Sequence, residues 1–426
     1  MKKTLLALMV AATTFHAAAL EVHGPDKAFV EQTSALGIDQ SNWDSGKSAK
    51  LTFKHAYRFT HHIDMEKGTF AHDLGKAQGF DLKSVTASDL DGEFDLETII
   101  RDRLNIESLV LVKNGQLVDE YYWSGMNKDQ THLQMSVTKS FTALTLQTLV
   151  QDGLVDMSKP IADYLPELKA SAGFREATVQ EVADMRSGIK IEFSPGKIWD
   201  DRMTNVQEWN GNNNYPELSS ILDFGKTLGQ RSDVATGQAF DYQCANTEML
   251  GMLIERVTGK RVAEVMEEKL WKRVGFENNA HLQSNHNGEA VASGGLNATT
   301  RDMAIMMDVL VNEGNNRAGE RIIDKEYIDN LMAGSPDVKS AWQYDGFASL
   351  LADAWYKDQV RVLNVEGHRF ITFVGIHGQV VIGEPSTGIV IAMNGAQDEM
   401  QAARTVAMTY LQVAPALLDA MQAQVQ

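Results

Sequence analysis

The chain has 426 residues, of which 43% are apolar, and it carries a formal net charge of −18. This length and apolar content can fill a sizeable core, so the chain is globular and holds one large domain or two ordinary ones. Such a negative surface repels phosphate backbones and anionic lipid, which disfavours nucleic acid as a partner. A single cysteine, Cys244, excludes an internal disulfide bond.

Residues 1–19 have the composition of an export signal. Lys2 and Lys3 precede the apolar stretch "TLLALMVAATTF", and "HAAA" supplies small residues for cleavage after Ala19. A membrane anchor is the weaker alternative, because the stretch contains threonines and is shorter than the roughly 20 apolar residues of a spanning helix. Loss of the two lysines takes the formal charge from −18 to −20. We therefore expect an exported, periplasmic bacterial protein with no membrane span in the mature chain.

The first half of the remaining chain predicts an extension, a hairpin and a helix. Residues 20–95 are weakly periodic, and we expect an N-terminal extension packed on a main domain at 96–426. The segment "SLVLVKNGQLVDEYYWSG" has two alternating apolar runs around Asn114-Gly115, which predicts a β-hairpin. The segment "SVTKSFTALTLQTLVQDG" predicts a helix from Ser136 to Gln151, closed by Gly153.

The second half is helical first and then rich in strands. From Val155 to about Met332 the apolar spacing is mostly helical. Residues 360–395 then predict three or four short strands, and "DEMQAARTVAMTYLQVAPALLDAM" predicts a final helix. Strands near both ends with a helical block between them predict an α+β fold, with an antiparallel sheet flanked by helices and a mostly helical lobe inserted.

A serine and a lysine three residues apart occur three times, whereas roughly two such matches are expected by chance; they are Ser136 with Lys139, Ser187 with Lys190, and Ser194 with Lys197. Only the first pair opens a predicted helix. The other two lie in "SGIK" and "SPGK", turn sequences in which nothing holds both side chains on one face.

On a helix, Lys139 would lie beside the Ser136 hydroxyl, and the helix N-terminus would favour negative charge on the serine oxygen. Because the following residues are apolar nearly all round, we expect a buried helix. A partly desolvated Lys139 with a lowered pKa could then act as the base for a nucleophilic Ser136. The alternative is that Ser136 only caps the helix and Lys139 points to water.

Six further segments occur in order with "SVTKS": "LVKNGQLVDEYY", "LPEL", "MRSGI", "FDYQCANTEMLG", "SGGLNATTRDMA" and "GIHGQ". Over about Glu107 to Asn394 the chain thereby resembles the serine β-lactamase and penicillin-binding superfamily, whose signature is S-x-x-K, then a tyrosine or serine motif, then K-T-G. It looks closest to the class C-like branch, with its esterases and 6-aminohexanoate-dimer hydrolases. The resemblance implies a β-lactamase/transpeptidase-like fold and a serine hydrolase that cleaves a small-molecule amide or ester, with no metal or other cofactor.

The resemblance places the family's tyrosine at Tyr242. Its hydroxyl would relay a proton between Ser136 and the leaving group, provided that the charge of Lys139 lowers the pKa of the phenol. The alternative is a core tyrosine. The class C pattern Y-x-N departs at Cys244, which could be a nucleophile although no helix N-terminus or base adjoins it in sequence, whereas Asn246 matches and is a candidate substrate-binding residue.

The third motif departs further, since "FVGI" at 373–376 replaces K-T-G. The resemblance implies that the backbone N–H of Ile376 completes an oxyanion hole with that of Ser136. Phe373 stands in the place of the lysine, which removes the cation for a substrate carboxylate, so we expect substrates without one. His377 is either a substrate-binding or a structural residue.

Two other functions stay open. A β-lactamase or D-alanyl-D-alanine carboxypeptidase is disfavoured by the missing K-T-G lysine, and a non-catalytic penicillin-fold binding protein by the intact serine, lysine and tyrosine. No metal site is predicted, because His61-His62 has the wrong spacing for two ligands on one face and no cysteine cluster accompanies it.

Overall fold

A computed structural model describes residues 19–195, 197 and 199–423. All of the predicted signal peptide except Ala19 therefore lies outside the described residues. None of the helices in these ranges is long and apolar enough to cross a bilayer.

The strands are, in chain order, β1 Val22–His23, β2 His61–Met65, β3 Thr86–Asp89, β4 Gly92–Asp95, β5 Ile106–Lys113, β6 Gln116–Tyr122, β7 His132–Leu133, β8 Ile189–Lys190, β9 Gly229–Gln230, β10 Ala280–Ser284, β11 Leu296–Ala298, β12 Ala354–Lys357, β13 Val360–Val365, β14 His368–Gly375, β15 Gln379–Glu384 and β16 Ile389–Gly395. The main antiparallel sheet has the order β12-β13-β14-β15-β16-β5-β6, and a second has the order β1-β2-β10-β11-β7.

The α-helices are α1 Lys27–Ser34, α2 Ala49–Thr52, α3 Val137–Gln151, α4 Ile161–Tyr164, α5 Val179–Ala183, α6 Asp201–Val206, α7 Ile221–Lys226, α8 Cys244–Thr258, α9 Val262–Met266, α10 Thr300–Val311, α11 Lys325–Ala333, α12 Pro336–Trp342, α13 Ala403–Ala407 and α14 Ala414–Ala423. Short 3-10 or π-helical segments adjoin several of them, notably Phe53–Phe59, Glu267–Trp271 and Met408–Val413. The final helix is continuous from Ala403 to Ala423 and has a π-helical segment in its middle.

Strand β5 shows how the main sheet is covered on both faces. Val110 and Val112 lie in a core that also contains Phe141 of α3, whereas Leu109 and Leu111 lie in a second core with residues of the C-terminal helices. Successive side chains of a strand point to opposite faces, so a strand that is apolar at four successive positions, 109–112, needs helices on both sides. The predicted α+β architecture is confirmed.

The predicted hairpin is also confirmed. Strands β5 and β6 are joined by Asn114 and Gly115, whose φ angles are 51° and 75°. Two successive positive φ angles are the requirement of the tight turn that suits the twist of a hairpin, and Asn-Gly is the sequence that meets it most easily.

Helix α3 connects the sheet to the helical lobe. Twelve of its fifteen residues are buried. Phe141 contacts the rings of Trp271 and Phe373, while Leu146 and Leu149 reach the core of the lobe, which also contains residues of α8. The predicted buried helix, with Gly153 just beyond its end at a φ of 73°, is confirmed.

The N-terminal residues take part in the second sheet. Strand β2 pairs with β1 and with β10, so that His62 lies opposite His23, and Asp64 lies opposite His281. Farther along, the ring of Trp43 packs 4.7 Å from that of Trp209 in the lobe. This segment therefore completes the sheet and contacts the lobe, while the domain boundaries remain a prediction.

Candidate active site

Ser136 and Lys139 meet at the start of α3. The ammonium Nζ of Lys139 donates to the Ser136 hydroxyl oxygen over 3.0 Å. Ser136 occupies the N-cap position, yet its side chain makes no capping hydrogen bond. Met135 before it has a φ of 46°, a conformation that a non-glycine residue adopts at a cost and that is enriched at active sites. The Ser136 hydroxyl therefore hydrogen-bonds to Lys139 and does not cap the helix.

The environment of Lys139 holds it in the charged form. It is 1% exposed, and its Nζ also donates to the Ser293 carbonyl over 2.7 Å and to the Cys244 sulfur over 3.2 Å. Burial lowers the pKa of Lys139, but the nearby Cys244, Tyr242 and Glu248 together outweigh burial and raise the pKa above its ordinary value. The expected lowered pKa is thus wrong, because acceptors and acidic groups surround the ammonium.

Tyr242 and Cys244 complete the group around the lysine. The Nζ of Lys139 lies 5.1 Å from the ring centroid of Tyr242. Cys244 is the first residue of α8, so it does adjoin a helix N-terminus and a cationic side chain, contrary to what its sequence neighbours indicated. Cys244, which stands at the asparagine place of the Y-x-N pattern, thus contacts the lysine directly.

A small pocket adjoins the serine. Its lining combines predicted residues with residues that the sequence did not reveal: Ser136, Tyr242, Tyr356, Gln359, Arg361, Thr372 and Val374. The residues that the sequence did not reveal lie on strands β12, β13 and β14 and on the loop between β12 and β13. Only the register of these strands brings them to the serine. The one available signal was an arginine inside the otherwise apolar run of β13.

The end of β14 lies against the chain that leads to the serine. A Cβ atom added to Gly375 would lie 2.5 Å from the carbonyl oxygen of Gln134, so only a glycine permits this approach. Ile376, the next residue, packs against the hydrophobic cluster that contains Met135. Within the described residues neither the Ser136 nor the Ile376 backbone N–H donates to a protein acceptor. Both donors therefore remain for an oxyanion.

The two predicted substrate-binding side chains lie elsewhere. His377 is 3% exposed, its Nδ1 is 2.7 Å from the carbonyl oxygen of Gln397, and its ring packs edge-on to Phe53. Burial lowers the pKa of His377, which favours the neutral ring. Asn246 is 1% exposed and accepts a hydrogen bond from the Ser187 hydroxyl over 2.6 Å. Neither residue lines the Ser136 pocket. Both side chains are buried by protein in this structure, and their part in substrate binding stays a prediction.

Away from the serine, one cluster has the side chains of a metal site. His62, Asp64 and His281 place one ligand atom each within 4.8 Å of the others. His61 is not part of it, since it points the other way and pairs with Glu208 over 3.2 Å. In sequence, His62 has only His61 as a neighbouring histidine, and the third residue, His281, comes from a strand more than 200 positions later.

An α+β fold in which a half-buried serine, paired with a buried lysine, opens the central helix defines a serine hydrolase of the β-lactamase type. The family model described as Beta-lactamase matches residues 98–413, and the chain belongs to this family.

Among known proteins, the chain is 29% identical over 302 residues to the 6-aminohexanoate-dimer hydrolase of Paenarthrobacter ureafaciens, covering 70% of this chain and 74% of that protein. A solved structure from Bacillus anthracis, whose name proposes a 6-aminohexanoate-dimer hydrolase, superposes with a TM-score of 0.79 at 24% identity, over 94% of this chain and 99% of that one. A family VIII carboxylesterase superposes with a TM-score of 0.55 at 16% identity, over 76% and 95%. At these identities the two structures establish the fold alone.

Proposed function

We propose that this protein hydrolyses an amide or ester bond through a covalent acyl-enzyme on Ser136. The observation that carries the proposal is the 3.0 Å contact between the Ser136 hydroxyl and a buried Lys139 at the N-terminus of α3. A nucleophilic serine needs a partner for its proton and a place for negative charge on the substrate oxygen, and both lie next to this residue. The named relative supports amide hydrolysis, since a 6-aminohexanoate dimer contains an amide bond.

In the first step, the Ser136 oxygen attacks the substrate carbonyl carbon and forms a C–O bond. Because the groups around Lys139 raise its pKa and favour the ammonium form, we assign acceptance of the serine proton to Tyr242 in its deprotonated form, whose negative charge the Lys139 ammonium stabilises and which becomes a neutral phenol in this step. The backbone N–H groups of Ser136 and Ile376 bind the oxyanion. The intermediate then collapses, the C–N or C–O bond to the leaving group breaks, and Tyr242 returns the proton to the departing amine or alcohol.

In the second step, a water molecule takes the place of the leaving group. It attacks the acyl carbon while Tyr242 accepts one of its protons, the bond to Ser136 breaks, and the proton returns to the serine oxygen. The products are an acid and a free enzyme, and no metal takes part in either step.

A fluorophosphonate probe tests the proposal, with Ser136→Ala as the variant and Ser194→Ala as the matched control from another serine and lysine pair. We expect the wild type and the control to be labelled and to release p-nitrophenol from p-nitrophenyl esters, whereas Ser136→Ala does neither. Equal labelling of Ser136→Ala, or no labelling of the wild type, would contradict the assignment. A fluorescent penicillin in parallel tests the rival: labelling by penicillin without ester or amide turnover would favour a penicillin-binding peptidase.

We further propose that the chain is exported to the periplasm of a bacterium, on the strength of the Lys2-Lys3 start, the apolar stretch and the small residues before Leu20. Intact mass spectrometry of the protein from a periplasmic extract should give a chain that begins at Leu20. A chain that keeps its first 19 residues and stays in the cytoplasmic fraction would contradict export.

A further inference from the structure

Arg361 is the one pocket residue whose charge has no use in the mechanism above. It lies on β13, is 6% exposed, and lines the pocket of Ser136. Its Nε and Nη1 atoms are buried and have no hydrogen-bond partner. A buried guanidinium without a partner is costly, and proteins rarely keep one without something to bind.

The neighbours of Arg361 do not neutralise it. Its guanidinium carbon lies 5.8 Å from the ring centroid of Tyr242 and 5.9 Å from that of Trp342, within range of cation–π attraction. Burial raises the pKa of Tyr356 well above its ordinary value and that of Tyr410 to about 12, so both phenols are neutral near pH 7. No acidic side chain of the described residues forms an ion pair with Arg361.

We propose that Arg361 binds a carboxylate of the substrate, so that the preferred substrates are amides or esters that carry a carboxylate on the acyl or the leaving part. A carboxylate is the counter-charge and acceptor that this guanidinium lacks: a carboxylate oxygen can accept a charge-assisted hydrogen bond from Nε or from Nη1, neither of which has an acceptor among the described residues. The inference rests on the proposed function, and it replaces the sequence-based expectation of substrates without a carboxylate. That expectation considered only the K-T-G position, whereas this cation comes from the neighbouring strand.

The test compares esters that differ only in charge. We expect the wild type to hydrolyse mono-p-nitrophenyl glutarate, or 4-butyryloxybenzoate, with a kcat/KM about 10- to 100-fold above that for its uncharged counterpart, p-nitrophenyl butyrate or phenyl butyrate. Arg361→Met should abolish the preference, measured as the ratio of kcat/KM for the charged and the neutral ester within the same variant, while Arg361→Lys should keep part of it. Arg369→Met, on the adjacent β14 and exposed, is the matched control and should behave as wild type.

A binding experiment separates this inference from the proposed function. Glutarate titrated calorimetrically into Ser136→Ala should bind, and the double variant with Arg361→Met should bind at least tenfold more weakly. Turnover of esters without any charge preference, with no glutarate binding, would overturn the role of Arg361 and leave the hydrolase standing. Glutarate binding that depends on Arg361 without turnover of any ester would instead overturn the hydrolase alone. Thermal unfolding of each variant verifies that it is folded.

The cluster of His62, Asp64 and His281 carries a second, independent inference. His62 and Asp64 alternate along β2, and His281 lies directly opposite Asp64 on β10, so all three project from one face of the sheet. The Nε2 of His62 is 3.8 Å and the Nδ1 of His281 is 2.6 Å from Oδ1 of Asp64. Donor atoms around a tetrahedral zinc ion, each at about 2.1 Å, lie about 3.4 Å apart, so small rotations bring these three into place.

The surroundings fit a metal ligand set. His62 is 8% exposed, and its Nδ1 faces the Thr60 carbonyl at 3.4 Å, which leaves Nε2 free to ligate. Tyr57 stacks on the ring of His281 at 3.8 Å and fixes its plane. Asp64 is half exposed, so an ion can enter from solvent. We infer that these three side chains bind a divalent transition metal, for which Zn²⁺ has the matching ligands and geometry.

His23 lies opposite His62 on the same face, with its Nε2 3.6 Å from Asp64 Oδ2, and we assign it as the fourth ligand. Because His23 is on β1, His62 on β2 and His281 on β10, the ion would join three strands and stabilise the N-terminal segment without touching the serine. It should therefore change stability and not ester hydrolysis.

Zinc binding is tested on untagged, chelator-treated full-length protein by calorimetry and thermal unfolding. We expect one Zn²⁺ per chain with micromolar or tighter affinity and a raised Tm, lost in Asp64→Asn and in His281→Gln and at least tenfold weaker in His23→Gln. His61→Gln, on the opposite face of β2, is the matched control and should bind as wild type. Absence of binding, or binding that survives Asp64→Asn and His281→Gln, would overturn the site; an unaffected His23→Gln would overturn the fourth ligand.

Discussion

Replacement of Glu248 by glutamine should change how stability depends on pH. Glu248 is fully buried beside the catalytic group: its oxygens accept hydrogen bonds from the backbone N–H groups of Ala292 and Ser293, and the Ser293 carbonyl in turn accepts from Lys139. Burial raises the pKa of Glu248 from 4.5 to about 7. A folded-state pKa above the unfolded value means that the folded protein holds the proton more tightly. The contribution to stability is therefore full below about pH 4.5 and is lost as the pH rises through 7.

The pKa difference between 4.5 and about 7 corresponds to about 3 kcal/mol of unfolding free energy. The wild type loses this contribution of Glu248 between about pH 5 and pH 8. Glutamine has no proton to lose. It gives up one acceptor and so costs about 1 kcal/mol at pH 5, where the carboxyl is mostly neutral when folded. The variant should thus be less stable than wild type at pH 5 and more stable at pH 8.

Urea unfolding of the wild type and of Glu248→Gln at pH 5, 6, 7 and 8 measures the difference in their free energies of unfolding. Burial also raises the pKa of Glu255 and of Asp302 to about 7, but these residues titrate in both proteins and cancel in the comparison. A difference in unfolding free energy that stays constant from pH 5 to 8 would refute the reasoning, since it would mean that Glu248 is ionised throughout.

Lys139→Met should lower kcat/KM for p-nitrophenyl esters about 1000-fold, because the serine loses the cation that assists its proton transfer. Lys197 is an exposed lysine of another serine and lysine pair, and Lys197→Met should have no effect. Equal losses of activity in the two variants would contradict the assignment. Cys244→Asn restores the asparagine of the family pattern and should keep most of the activity, while complete loss, with Ser136→Ala still active, would make the thiol the nucleophile. Gly375→Ala should reduce kcat more than it raises KM, because the added Cβ would push β14 away from Gln134, just before Ser136. Gly346→Ala is the control, because a Cβ there meets no atom within 4 Å. A wild-type kcat in Gly375→Ala would exclude Ile376 from the oxyanion hole.

The sequence predicted those parts of the fold and site that depend on local pattern. Asn114-Gly115 determines its own turn, and the apolar residues after Ser136 predict a buried helix with the lysine three residues on. The resemblance then located Tyr242 and the end of β14, because those motifs keep their order along the chain. These features are predictable because they depend on residues close together in sequence or on a known order of motifs.

The features that the sequence missed depend on strand register. Arg361 reaches the serine only because β13 pairs with β14, and His281 meets Asp64 only because β10 pairs with β2. The pKa of Lys139 was predicted in the wrong direction for a similar reason: burial could be foreseen, but the position of Cys244 and Glu248 around the ammonium could not. A one-residue change of register would turn each of these side chains to the other face.

The pairing of β1 and β2 with β10 has a practical consequence for work with fragments of this protein. The family match starts at residue 98, yet Ile63 and Met65 of β2 are fully buried in the same core as Phe141 of α3. A fragment trimmed to the match would leave β10 with an unpaired edge and expose apolar surface next to the catalytic helix, which favours aggregation. Recombinant versions should therefore begin before Val22.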